Sequence, residues 1–244
     1  MKKLLVGIVA LGVLSVGSVA AMAADMPVKA VYKAPVAAPI FNWTGFYVGG
    51  DVGYIWSRST SFDPDFGGFS AHPAPKGGVF GLHAGYQYQL SNGVVLGVEG
   101  NFAWISATAT DRYFTTAGGN TGNDAELKLK WNAAALASLG YAMGPWLPYV
   151  TGGAAWMNLS GCDHVPAAAA CFPGTDFSGT QSGWTVGGGL AYAVTNNIIA
   201  RIEYLYADYG SKNYSTPAFP VNGITTNTLR TNTVRSGLSW KFNL

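Results

Sequence analysis

Six side chains able to do chemistry recur through the sequence: Asp51, His83, Glu99, Arg201, Glu203 and Arg235. Three carboxylates, two guanidiniums and an imidazole can form an interior ion-pair network, line a narrow ion path, or supply acid–base chemistry. Arg201 and Glu203 are two residues apart, so on a strand they share a face. Hydrolysis or acyl transfer would also need a nucleophile beside a base and an orienting group. His72, His83 and His164 are the only histidines, and none lies in a recognisable nucleophile motif. The expectation is therefore a chain without catalytic residues.

Cofactor and metal chemistry is equally poorly supplied. Near Cys162 and Cys171 only His164 could add a metal ligand, where four are normally wanted, and their spacing is not that of a Cys-x-x-Cys redox pair. Gly187-Gly188-Gly189 is followed by no Walker pattern and reads as strand glycines. Asp63-Pro64-Asp65 reads as a turn rather than a cation site. No metal or cofactor is expected.

The elements that must position these residues begin with an export signal. Lys2 and Lys3 precede an apolar stretch from Leu4 to Val19, and Ala21-Met22-Ala23 provides a small-x-small cleavage pattern. Residues 1–23 read as a secretory signal peptide, cleaved after Ala23. Removing the two lysines from 14 basic residues leaves 12, against 12 acidic ones, so the exported chain is near neutral. That balance gives no reason to expect nucleic acid as a partner. Both cysteines lie in the exported part, where an oxidising compartment favours a disulfide between Cys162 and Cys171.

Charged residues make up only 11% of the chain, while aromatics reach 14% and there are 33 glycines. A soluble chain normally covers itself with charge, at ~25% of residues. This composition suits an outer surface that faces lipid. No segment beyond the signal is continuously apolar over the ~18 residues a membrane helix needs, so a membrane reading must be a closed barrel.

Residues 24–42, with Pro27, Pro35 and Pro39, read as a flexible periplasmic segment. From Trp43 to the end, eight runs alternate apolar with small or polar residues. In the first, Phe46, Val48, Val52, Tyr54 and Trp56 share one parity, and Tyr47, Gly49, Asp51 and Gly53 share the other. All six candidate residues fall on the inward parity of their runs. In the fourth run the pattern sends Leu127, Leu129 and Trp131 outward and Lys128 and Lys130 inward. The fifth, from Pro148 to Leu159, alternates too weakly to assign a facing.

Connections between runs alternate in length. Three short turns lie near Asn92, Gly144 and Asn196. Between them fall four polar stretches of roughly 20 residues: Arg58–Gly78, Thr108–Glu126, Ser160–Ser182 and Gly210–Thr228. Short periplasmic turns alternating with long external loops predict an all-β, eight-stranded antiparallel transmembrane barrel over residues 43–244. Such a barrel is just wide enough for side chains to fill, so the six polar residues are expected to plug it. A narrow ion path is the alternative. A lipid-modifying enzyme is a further and weaker reading, and soluble ligand binding another.

The quoted strands also carry a resemblance. Asn42-Trp43-Thr44-Gly45-Phe46-Tyr47-Val48-Gly49-Gly50 resembles the opening strand of the alpha-proteobacterial outer-membrane immunogenic protein family. Gly85-Tyr86-Gln87, Leu139-Gly140-Tyr141, Tyr149-Val150-Thr151-Gly152-Gly153 and Arg201-Ile202-Glu203-Tyr204-Leu205-Tyr206 are similar to its later strands. The resemblance implies an OmpA-like barrel in the bacterial outer membrane, described in the family as a small porin-like protein or surface antigen. The chain departs from it where Asn243 and Leu244 follow Phe242, since members often end on an aromatic residue. It departs again at Leu136 and Ser138, where members often carry inward arginines. The partners expected are outer-membrane lipid, the barrel assembly machinery, and an unidentified loop ligand or host surface.

Overall fold

In the computed structural model, residues 41–63, 68–115, 119–164, 171, 175–216 and 223–242 are described. Residues 1–40, where the signal peptide and most of the periplasmic segment are expected, lie outside them, as do Pro64, Asp65, Asn243 and Leu244.

The described chain is strand joined by turns. The strands are β1 (Gly45–Asp63), β2 (Phe69–Ala71), β3 (Lys76–Gln89), β4 (Val94–Thr115), β5 (Asn120–Tyr141), β6 (Trp146–His164), β7 (Phe177–Ala193), β8 (Ile198–Thr216) and β9 (Gly223–Lys241). Eight long strands pair antiparallel in sequence order, and β1 pairs with β9 to close the ring. Every neighbouring pair is laddered from the turns to the level of Trp56 and Trp184, as a barrel in hydrocarbon requires; beyond Trp184↔Asp208, β7 and β8 no longer pair. The three-residue β2 is an extra return, pairing with β1 and β4.

Each short turn has its own chemistry. Gly93 takes a positive φ of 86° in the β3–β4 turn, where its N–H donates to Leu90 O at 3.0 Å. Gly144, at φ 64°, closes the tight β5–β6 turn bounded by the Met143–Trp146 bridge. In the β7–β8 turn, Thr195 Oγ1 accepts from the amides of Asn197 and Ile198.

Where the four long polar stretches are described they are largely strand, so the external loops are shorter than the sequence pattern suggests. β4 and β5 stay paired from Val94↔Tyr141 to Phe114↔Asn120, and β8 and β9 pair as far as Thr216↔Gly223. Polar residues predominate in these extensions, with Ser57, Ser59 and Ser61 on one face of β1. A segment of this kind satisfies its backbone by continuing the ladder rather than by solvent alone. The barrel therefore extends well past its apolar wall on the loop side.

The fourth run is corrected too. Its Leu127 and Leu129 are buried, at 1% and 2% exposure, while Lys128 and Lys130 are exposed. The β5–β6 register shifts between Leu129 and Trp131, and the β4–β5 register shifts opposite it. An inserted residue reverses every facing beyond it. In β6 the facing now resolves: Val150 and Trp156 are exposed, and Thr151, Met157 and Leu159 buried. Its outward positions include Gly152 and Ala154, which is why the alternation is weak.

Candidate functional site

The six candidate residues converge inside the barrel. Asp51 comes from β1, His83 from β3, Glu99 from β4, Arg201 and Glu203 from β8, and Arg235 from β9. Their side chains are at most 8% exposed. Arg201 engages Glu99 through both terminal nitrogens, the Nη2–Oε1 contact being 3.2 Å. Arg235 donates from Nε to Glu203 Oε2 at 2.6 Å and from Nη2 to Glu99 Oε1 at 3.4 Å. Both guanidiniums also approach the Asp51 carboxylate at 3.8 Å. Each buried charge thus faces an opposite one, the condition for keeping it in a low dielectric.

Two tyrosines complete the layer. Tyr47 donates to Glu99 Oε2 at 2.9 Å and Tyr149 to Glu203 Oε1 at 3.3 Å. Tyr47 lies on the inward parity of its run. Tyr149 could not be assigned, because its strand alternates so weakly.

Glycines make the room. In the register, Asp51 lies between Gly81 and Gly237, Glu99 lies opposite Gly85, His83 opposite Gly49, and Glu203 opposite Gly189. A Cβ on Gly81 would come within 2.7 Å of Asp51 Oδ1, and one on Gly49 within 2.5 Å of His83 Nε2. Nearly every long polar side chain therefore lies over a cross-strand neighbour that has no side chain.

One constellation was not legible in the sequence. His83 Nδ1 lies 3.0 Å from Asp51 Oδ2, and His83 Nε2 lies 2.7 Å from Ser239 Oγ. Ser, His and Asp are thus linked in the order of a hydrolytic triad. Ser239, 156 residues from His83 in sequence, showed only as another inward-parity residue of the last run. All three residues are buried, and the ring of His83 is wedged against Gly49.

Apolar clusters flank the charged layer along the barrel interior. Toward the turns, Trp43 is completely buried with Val95, Leu147, Ala191, Ala193 and Ile199, and Phe41 packs on its ring. Toward the loops, Ile55, Leu127, Leu129, Met157, Leu159 and Leu229 belong to a larger cluster. Beyond it the fully buried Asn227 donates to Ser59 and Ser61 at 3.0 and 2.9 Å, and Gln181 donates to its carbonyl. A cavity of about 30 Å³ adjoins the charged layer, between Tyr47, Gln87, Leu136, Tyr149 and Arg201.

Cys162 and Cys171 are joined, with an S–S distance of 1.97 Å and Cα atoms 5.6 Å apart. Glu126 lies beside them, but both sulfurs are used by the bond, so these three groups make no metal centre. His72 lies between β2 and β3, away from a nucleophile motif, and the side chain of His164 lies outside the described residues.

The outer wall has the opposite character. Phe46, Val48, Val52, Phe80, Leu82, Val98, Ile202 and Leu238 are all exposed. Trp56, Trp104 and Trp184 lie toward the loops, and Tyr141, Trp146 and Trp240 toward the turns.

Residues 9–242 match the family model described as an outer membrane protein beta-barrel domain. The 31 kDa outer-membrane immunogenic protein of Brucella melitensis biotype 1 is 35% identical over 232 residues, covering 91% of this chain and 93% of that protein. The chain belongs to the outer-membrane immunogenic protein family. Another relative, the 22 kDa outer membrane protein of Rhizobium leguminosarum bv. viciae, is 34% identical over 75% of this chain and 71% of its own length. Among solved structures, the outer membrane protein OprG from Pseudomonas aeruginosa matches with a TM-score of 0.55 and 15% identity, over 83% of this chain and 98% of that one. That likeness concerns fold alone. Family membership places this immunogenic-family barrel in the bacterial outer membrane.

Proposed function

We propose that this barrel is a closed membrane anchor that displays a β-structured surface outside the cell, and neither a pore nor an enzyme. The observation that carries this reading is the order of layers in the interior: apolar, charged, apolar, polar. A conducting path needs continuous polar space. Here the charged layer is bounded on both sides by packed hydrocarbon, and the cavity beside it has room for water but not for a file of hydrated ions. The wall supports the anchoring half. From Phe46 to Trp56 a strand rises ~33 Å, which at the usual barrel tilt spans about 25 Å of height, the thickness of an outer-membrane apolar band. No charged residue occupies the outward positions between them on β1.

The paired extensions supply the display half. Continued ladders on the loop side hold their shape better than free loops, which suits recognition by an external partner or host surface. The Ser239–His83–Asp51 chain favours catalysis only by its connectivity. A substrate carbonyl has no way to reach a serine that is 2% exposed, so the chain serves to fix His83 within the layer.

Reconstitution into planar bilayers tests the reading. A silent membrane over many insertions is expected; repeatable unit current steps would overturn the closed interior and favour a low-conductance porin.

A further inference from the structure

Outside the barrel, two arginines face each other where the apolar wall ends. Arg58 on β1 is the register partner of Arg230 on β9, and both side chains are exposed. Like charges directly opposite on neighbouring strands repel. Among the described residues one carboxylate engages the pair: Asp208, opposite Arg230 on β8, accepts from Arg230 Nε at 2.8 Å. Arg58 has no hydrogen bond or ion pair among the described residues. The row Asp208–Arg230–Arg58 is therefore left with one uncompensated positive charge.

The two guanidiniums border a groove of about 730 Å³, lined also by Trp56, Thr60, Tyr206, Thr228 and Asn232. Its composition is amphipathic. Threonine hydroxyls and an amide lie among the arginines, and Trp56 forms part of the floor toward the membrane band. Asn232 is held in place by the Tyr204 hydroxyl, which donates to its Oδ1 at 2.6 Å. Arg58 lies one outward position past Trp56, so on the anchored barrel it stands at headgroup level, directly above acyl chains.

We propose that this groove binds the phosphate monoester of an acylated lipid in the outer leaflet. A dianionic phosphate would bridge Arg58 and Arg230, accept from the Thr60 and Thr228 hydroxyls, and let the lipid chains run down over Trp56 onto the apolar wall. Two guanidinium forks suit this group because each can present paired donors to its oxygens. The inference rests on the anchored orientation proposed above, but not on the closed interior.

The test is native mass spectrometry of the full-length barrel released from mixed micelles. The micelles contain either phosphatidic acid or a diacylglycerol with the same chains. The wild-type barrel is expected to retain one phosphatidic acid roughly tenfold more than diacylglycerol. Arg58→Ala should abolish that preference, Arg58→Lys should keep part of it, and Lys130→Ala, elsewhere on the outer wall, should leave it intact. Heat-modifiable migration confirms that each variant is folded. An unchanged preference in Arg58→Ala overturns the site. Complete displacement by millimolar inorganic phosphate overturns the lipid as its source, since the chains would then contribute nothing. Loss of the lipid preference in wild type with a silent bilayer sinks only this site; current steps with the preference intact sink only the closed interior.

Discussion

Glu203 and Arg235 are register partners on β8 and β9 whose side chains also meet inside the barrel, Arg235 Nε lying 2.6 Å from Glu203 Oε2. Arg235 reaches Glu99 and Asp51 as well, so it is the cation that ties three carboxylates together. Arg235→Ala should destabilise the barrel by about 3–5 kcal/mol, because it strands buried carboxylates without a counter-charge. The check is the temperature at which heat-modifiable migration is lost, which should fall. Replacing Glu203 and Arg235 together by methionine should cost less than Arg235→Ala alone. If the single variant unfolds like wild type, the network is not holding the barrel.

Gly49 sits between a backbone carbonyl and the imidazole of the charged layer. A Cβ there would lie 2.2 Å from Leu238 O and 2.5 Å from His83 Nε2. Gly49→Ala is expected to cost at least ~1–3 kcal/mol through overpacking, seen as reduced folding yield into micelles. Gly100→Ala, whose added carbon would meet nothing within 4 Å, is the control and should fold normally. Equal yields for the two variants would contradict the tight packing.

Ser239 has a triad's partners without a triad's access. A fluorophosphonate probe should leave the folded barrel unmodified by intact mass. Ser239→Ala should remove no hydrolytic activity, while leaving the His83 Nε2 without its partner. An adduct on Ser239 would reopen the enzymatic reading.

The β5 register shift makes a labelling pattern. Lys128→Cys should react rapidly with a water-soluble maleimide on intact cells, and Leu129→Cys should be unreactive. The reverse pattern would return β5 to the facing its sequence suggests.

That strand shows where the sequence stopped being readable. Period-two alternation located eight strands and put Asp51, Glu99, Arg201, Glu203, Arg235 and the His83 imidazole on the inner face, because a lipid-facing wall tolerates charge so poorly that parity is sharply selected. The bulge near Trp131 leaves no mark of its own: Leu127, Leu129 and Trp131 keep their spacing while the backbone turns the two leucines inward and leaves Trp131 stacked on the outward Phe102. The inner apolar layers were equally hidden. Leu127, Leu129 and Met157 inside have the same chemistry as Leu96 or Leu238 outside, so composition cannot tell which medium each one meets. Trp43 appeared only as the start of the first strand, yet its ring is wholly buried at the turn end of the barrel. The pairing of inward glycines with charged neighbours was present as inward parity, but it needed the register to become visible. The long polar stretches misled because loop-like composition and solvent-exposed strand composition overlap in threonine and serine.

A closed interior keeps water from passing through the charged layer, and the guanidinium protons report on this directly. In a ¹⁵N-labelled barrel in micelles, solvent exchange of the Arg235 Nε–H can be compared with that of the exposed Arg58 Nε–H in the same sample. A closed interior predicts that Arg235 exchanges slowly enough to remain visible after transfer to deuterated water, while Arg58 disappears at once. Exchange of Arg235 as fast as Arg58 would mean that the layer is wet and open, and would contradict the account.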